Sequence, residues 1–170
     1  MIIHEAIGNI QQTRIEDKII DFLDLEWYET SRRIQRKKTR AGKDIAIKFL
    51  KDKQRIIDGD ILFMDDNTAI VVNVLPTKSI ILEPQSITEM SAVCHDIGNK
   101  HLPLYFQEGI LLMPFELTIF NWLQSNGFNP IVKEEKLLNL LNANVDHHKD
   151  SKIGTSSSTK GLKIKLSKED

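Results

Sequence analysis

Over the first 75 residues apolar positions alternate with polar ones or form short runs, and polar turn residues interrupt them. Ile2 and Ile3 open the chain, and Ile19 to Leu25 is an apolar run broken by Asp21 and Asp24. Glu26-Trp27-Tyr28-Glu29-Thr30 follows, and its two aromatics favour a pleated, half-buried strand. The turn Arg40-Ala41-Gly42-Lys43 leads into a stretch where Ile45, Ile47 and Phe49 alternate with smaller or charged residues, which predicts a strand with one buried face. Ile57-Asp58-Gly59-Asp60 is a second turn before a strand over Ile61 to Met64. Asp65-Asp66-Asn67 then joins that strand to Ala69 to Leu75 as a hairpin. Short strands separated by turns predict a small all-β unit, a sandwich or a barrel, over 1–75.

The pattern changes after Pro76-Thr77. Ser79 to Glu83 is one more apolar strand, and Ser86-Ile87-Thr88-Glu89 then fits a capping box. Ile87, Met90, Val93 or Cys94, and Ile97 recur at helical spacing, and Gly98 is the predicted stop. Leu104-Tyr105-Phe106 and Ile110-Leu111-Leu112 flank the turn Gln107-Glu108-Gly109 as a hairpin. After Pro114 a second helix is predicted from Phe115 to about Asn126, with Ile119, Phe120 and Leu123 inward and Gly127 as its end. Ile131-Val132 is a last strand. The order β-α-β-β-α-β over roughly 60 residues is that of a ferredoxin-like domain. Leu137, Leu138 and Leu141 predict a short helix over 134–142. The fold class expected is therefore α+β: an all-β unit over 1–75, a ferredoxin-like unit over 76–142, and a polar tail over 143–170 that reads as mobile. Within that tail Leu162, Ile164 and Leu166 alternate with Lys163 and Lys165, the pattern of a strand inside a composition that suits disorder.

Charge narrows the function. The formal net charge of -1 lacks the basic excess of a general nucleic-acid binder. No apolar run approaches the ~20 residues needed to span a membrane. The start Met1-Ile2-Ile3-His4-Glu5 lacks the basic opening of a signal peptide, so a cytoplasmic protein is expected. The single cysteine rules out an internal disulfide. The strongest charge cluster, Arg32 to Arg40, reads as the solvated face of a strand, or as a surface that meets an acidic protein partner.

Candidate chemistry centres on His101, just past the predicted stop of the first helix. Two readings are open for it. A histidine there caps helix carbonyls or gains from the helix dipole; as a metal ligand it supplies one nitrogen where a stable site wants about four ligands. Two-fold symmetry offers a way out, because an isologous interface sets the same residue of both chains beside the axis and would face two imidazoles toward one ion. His147 and His148 form the one adjacent histidine pair and are candidates to add ligands from the tail. His4 and His95 read as structural, and Cys94 as a buried thiol on the apolar side of its helix. Catalysis is poorly served: there is no phosphate-cradling glycine loop, no GxSxG elbow, no CxxC and no HExxH.

Four ordered motifs carry a resemblance. Leu25-Glu26-Trp27-Tyr28-Glu29-Thr30 with Thr39, Gly42-Lys43-Asp44-Ile45-Ala46-Ile47, Gly59-Asp60-Ile61-Leu62, and Ile97-Gly98-Asn99-Lys100-His101 with Pro103-Leu104 resemble the urease accessory protein UreE family. The resemblance runs over about residues 1–140. It implies an N-terminal β domain that contacts protein partners, a C-terminal ferredoxin-like domain that dimerises, and a nickel site on the dimer axis. The histidine of the family's Gly-Asn-Arg-His motif corresponds to His101, and histidines of the tail, here His147 and His148, commonly join it. Lys100 stands where that motif has arginine, keeping the charge without the planar fork. The tail has two histidines rather than a polyhistidine run, so one ion per dimer is expected rather than storage.

The expected function is a homodimeric nickel metallochaperone, not an enzyme, that donates nickel to apo-urease through the urease GTPase UreG. Copper and zinc are the expected competitors. Imidazole binds metal only when neutral, so affinity is expected to fall as pH drops through ~6.5. The competing expectation is an adaptor that scaffolds urease maturation through protein contacts, with incidental metal binding.

Overall fold

The computed structural model describes residues 1–15, 17–51 and 54–141. Two sheets face each other at the N-terminal end. The first has the order β1 (Ile2–Ile3), β5 (Asp44–Lys48), β4 (Ile34–Lys38). The second has the order β2 (Gly8–Asn9), β6 (Asp60–Met64), β7 (Thr68–Val74), β3 (Ile19–Leu25). The alternation in β5 does what it predicts: Ile45 and Ile47 are fully buried, while Asp44 and Lys48 are exposed. They meet Leu23, Leu25, Ile70, Val72 and Val74 of the facing sheet in one core. β7 is buried on both faces, because Ala69 and Val71 point the other way into a second cluster with Ile61. The Asp65 turn is confirmed as well, its carboxylate accepting from the Asn67 and Thr68 amides at 2.9 and 2.7 Å.

One early expectation fails. Trp27–Glu29 is a 3-10 helix, not a strand. The Glu29 carboxylate accepts from the Glu26 amide at 3.0 Å, and the Thr30 hydroxyl donates to the Trp27 carbonyl at 2.7 Å. These local side-chain bonds satisfy the backbone without a ladder. The turn carries the Trp27 ring out of the sandwich and sets it edge-on to Tyr105, 6.2 Å away at 87°.

The second half runs β8 (Thr77–Leu82), α1 (Ile87–Asn99), β9 (Tyr105–Gln107), β10 (Ile110–Pro114), α2 (Leu117–Ser125), β11 (Ile131–Glu135). Its strands pair antiparallel in the order β11-β8-β10-β9. Both helices lie on one face, where Val93, Ile97, Ile119 and Leu123 pack on Ile80, Leu82, Leu111 and Met113. The opposite face presents Ile81, Leu112 and Tyr105. None of the described helices is long and apolar enough to cross a membrane.

The helix expected over 134–142 is absent from its described part. β11 already includes Glu134 and Glu135, paired with Lys78 and Thr77. The chain then crosses the open face as a strap. Leu137 is buried there, the Asn139 carbonyl accepts from the Phe106 amide at 3.0 Å, and the Leu141 amide donates to the Leu104 carbonyl at 2.8 Å. The backbone bonds available at the free edge of β9 outcompete those of an isolated turn of helix.

Lys136, at the start of the strap, ties the halves together. Its ammonium donates to both Asp58 oxygens at 3.0 and 3.1 Å and to the Asn73 carbonyl oxygen at 3.0 Å. The Asp58 carboxylate also accepts from the Val74 amide at 2.7 Å. The Asn73 amide in turn donates to Asp24, whose carboxylate takes two bonds from Arg40. The Arg40 bonds hold the Asp24 carboxyl below the usual carboxylate range, against a burial that raises it. Replacing Lys136 with methionine leaves the half-buried Asp58 carboxylate short of its cation and is expected to cost about 1–2 kcal/mol. Urea unfolding measures this; a loss under about 0.3 kcal/mol would class the contact with screened surface pairs.

Candidate metal centre

The site is built on the end of α1. Ser86 caps its start, the Ser86 hydroxyl accepting from the Glu89 amide at 3.1 Å. The reciprocal half of the expected capping box is displaced by one residue, since the Glu89 carboxylate takes the Gln85 amide at 2.7 Å. Val93 and Ile97 anchor the helix to the sheet, with Met90 and Cys94 beside them. Burial pushes the Cys94 thiol up, and its side chain packs with the apolar cluster beneath the helix.

Gly98 does not end the helix, which continues through Asn99 with Lys100 as its cap. The residue that turns the chain is His101 itself, in the left-handed region at φ 54. Its amide donates to the Gly98 carbonyl at 3.0 Å, and the Leu102 amide reaches back to Ile97 at 3.3 Å. That pair of bonds is the Schellman motif, completed by Leu102 packing into the cluster that holds Ile97. Helix α2 ends the same way: Gly127 stands at the left-handed position with φ 83, and Gly127 and Phe128 donate to Gln124 and Leu123 at 3.1 Å each. Glycine holds that conformation without strain. A side chain with a Cβ costs about 1–2 kcal/mol there, so one helix end carries a strained histidine where its neighbour carries an unstrained glycine.

The strain fixes the backbone of an exposed imidazole. Lys100 next to it lies with its ammonium 5.3 Å from the centre of the Trp122 ring on α2. The single charge that replaces a guanidinium fork thus packs on an aromatic face. His95 and Asp96 contact each other one turn back, at 3.1 Å, with the Asn99 amide 3.3 Å from the imidazole. His4 follows the end strand β1 in the other half of the molecule and is exposed. His147 and His148 lie outside the described residues. Among the described residues no three of His, Cys, Asp or Glu are grouped to hold a metal ion. What the described chain offers is one nitrogen on a rigid turn. Gly98 predicts the stop three residues too early; the sequence signal for a turn on His101 is the lack of any glycine between 99 and 108.

Comparison with known proteins bears on this site and on the sandwich. The family model of the UreE urease accessory protein, N-terminal domain, matches residues 3–75. A urease accessory protein UreE of Flavobacterium johnsoniae is 42% identical over 148 residues, covering 87% of this chain and 90% of that protein. The UreE of Haemophilus influenzae is 37% identical over 147 residues, covering 84% and 80%. That of Helicobacter pylori is 40% identical over 141 residues, covering 81% and 82%. With identity at this level over most of both chains, this chain belongs to the urease accessory protein UreE family, a family of accessory proteins and not of enzymes.

Proposed function

We propose that this chain is a cytoplasmic, homodimeric nickel carrier that donates nickel to apo-urease during maturation of its metal centre, with UreG as its GTPase partner. The ion is held between two subunits by His101 of each. The observation that carries the reading is the left-handed conformation of His101 at a turn that glycine would fill without strain. A strained, exposed, singly donating histidine is a poor structural device and a good half of a shared site.

His147 and His148 are the proposed further ligands, and connectivity supports them. Leu141 is hydrogen-bonded to Leu104, three residues beyond His101. From Leu141 to His147 is six residues, an extended reach of about 20 Å. The β11-β8-β10-β9 order with its two helices supports reading the second half as ferredoxin-like, with a boundary near Pro76 where the family match ends. Few ligands at a surface suit a carrier, because ligand exchange hands the ion on where a closed site would retain it. Copper binds such nitrogens more tightly and zinc competes, so partners and availability set selectivity.

Native mass spectrometry of the full chain, with and without nickel, tests the assignment. The expected species is two chains with one nickel, and chelation removes the metal. A nickel-loaded monomer would overturn the shared site. The adaptor reading rests on the exposed Arg36 and Lys38 of β4. It wins if urease activation in nickel-limited cells survives His101→Ala combined with loss of His147 and His148.

A further inference from the structure

The β11-β8-β10-β9 sheet has one face without helices. Across it Ile131, Ile81, Leu112 and Tyr105 stand in register, one from each strand. Trp27, Leu137 and Leu140 cover the β9 and β10 end of this row. The cover stops short of β11, where Ile131 is 49% exposed. A hollow of about 400 Å³ opens there. Its floor is Ile81, Ile110 and Ile131, its rim carries Glu83, Glu89 and Glu135, and Lys133 is the one cation among its lining residues.

The chain contains a complement to this surface. Lys160-Gly161-Leu162-Lys163-Ile164-Lys165-Leu166-Ser167-Lys168 has four lysines, no carboxylate, and three apolar residues at alternate positions. At the two-residue period of an extended strand, Lys160, Leu162, Ile164, Leu166 and Lys168 fall on one side. That side is an apolar centre with a lysine at each end, the inverse of an isoleucine floor with a carboxylate rim. Lys163 and Lys165 alternate to the other side, and their long stems bend back toward carboxylates at the edge.

We propose that residues 160–168 of the same chain dock on this hollow, seating Leu162, Ile164 and Leu166 on the isoleucines and the lysines against Glu83, Glu89 and Glu135. Connectivity suits it. The strap residue Leu140 already packs on this face, and Leu141 is bonded to β9's approach at Leu104. Leu141 and Lys160 are nineteen positions apart, a reach of up to about 60 Å. The four strands to be crossed lie ~5 Å apart. The docking does not depend on whether the chain binds nickel.

Carbodiimide cross-linking of the full chain tests this, using an equimolar mixture of isotopically heavy and light protein at low concentration. The expected products are amide links within one chain, from Lys160, Lys163, Lys165 or Lys168 to Glu83, Glu89 or Glu135. The combined substitutions Leu162→Ser, Ile164→Ser and Leu166→Ser keep every lysine, touch none of the described residues, and are expected to lower the yield roughly tenfold or more. Three outcomes would overturn the proposal: no such links, an unchanged yield in the triple variant, or links that join heavy to light chains. The second leaves only a charge encounter, and the third assigns the hollow to a second copy.

Discussion

His101→Gly is expected to raise folding stability while abolishing nickel binding, and His101→Ala to abolish binding without that gain. The left-handed position costs a residue with a Cβ about 1–2 kcal/mol. Glycine removes that cost but frees the unfolded chain by about 0.4–1 kcal/mol. The net gain is about 0.5–1 kcal/mol, and alanine, which keeps its Cβ, stays near the parent. On the proposed shared site, each dimer would lose two imidazoles from one ion. The affinity loss should therefore exceed the roughly 100-fold that removal of a mere outer-shell partner produces. Urea unfolding and calorimetric nickel titration read the two effects separately. Parent-like nickel affinity in either variant sinks the site; a glycine variant less stable than the parent sinks the account of strain.

The largest expected loss of stability comes from Ile97→Ala. Ile97 is fully buried beneath α1, its carbonyl receives the Leu102 amide, and its side chain belongs to the cluster that takes in Leu102. Truncation removes buried methylene and methyl groups and opens a cavity at the base of the His101 turn, at a cost of about 2–5 kcal/mol. Ile97→Val retains most of the volume and should cost about 0.5–1.5 kcal/mol. Nickel affinity should weaken in step, because the turn loses the packing that opposes its strain. A cost for alanine below about 1 kcal/mol would show that the helix end is not anchored there.

Much of this architecture is legible in residue spacing. The Ile45-Ile47 alternation, the Asp65 turn and the Ser86 cap are local signals read out locally. What spacing misreads is decided by side-chain bonds and by distant contacts. Trp27 is turned away from a strand by the bonds that Glu29 and Thr30 make to the backbone, and its ring then meets the edge of Tyr105 from the other half. Leu137 and Leu141 look helical, yet Lys136 is held by Asp58 and the next residues are claimed by the free edge of β9. At the site the candidate histidine was identifiable and its conformation was not. Glycine is the residue that most readily takes the left-handed stop, whereas here the backbone turns three residues after Gly98 on a residue that resists turning.

The pairing of β3 with β7 has a consequence for how the protein is made. It is parallel, spans seven residues from Ile19 with Thr68 to Leu25 with Val74, and joins positions 49 apart. β1 likewise waits for β5, with Ile2 beside Ala46. Contacts this distant in sequence close slowly. At 5–20 residues per second of synthesis, β3 spends seconds outside the ribosome with Phe22, Leu23 and Leu25 unpaired before its partner appears. In the second half β9 and β10 meet across a short turn as soon as both are made, but β8 waits for β11, with Ile81 paired to Ile131 and Thr77 to Glu135. Each half thus contains a strand that waits for a distant partner, so chaperone protection is expected to matter for nascent chains that end before residue 74 and again for those that end before residue 135.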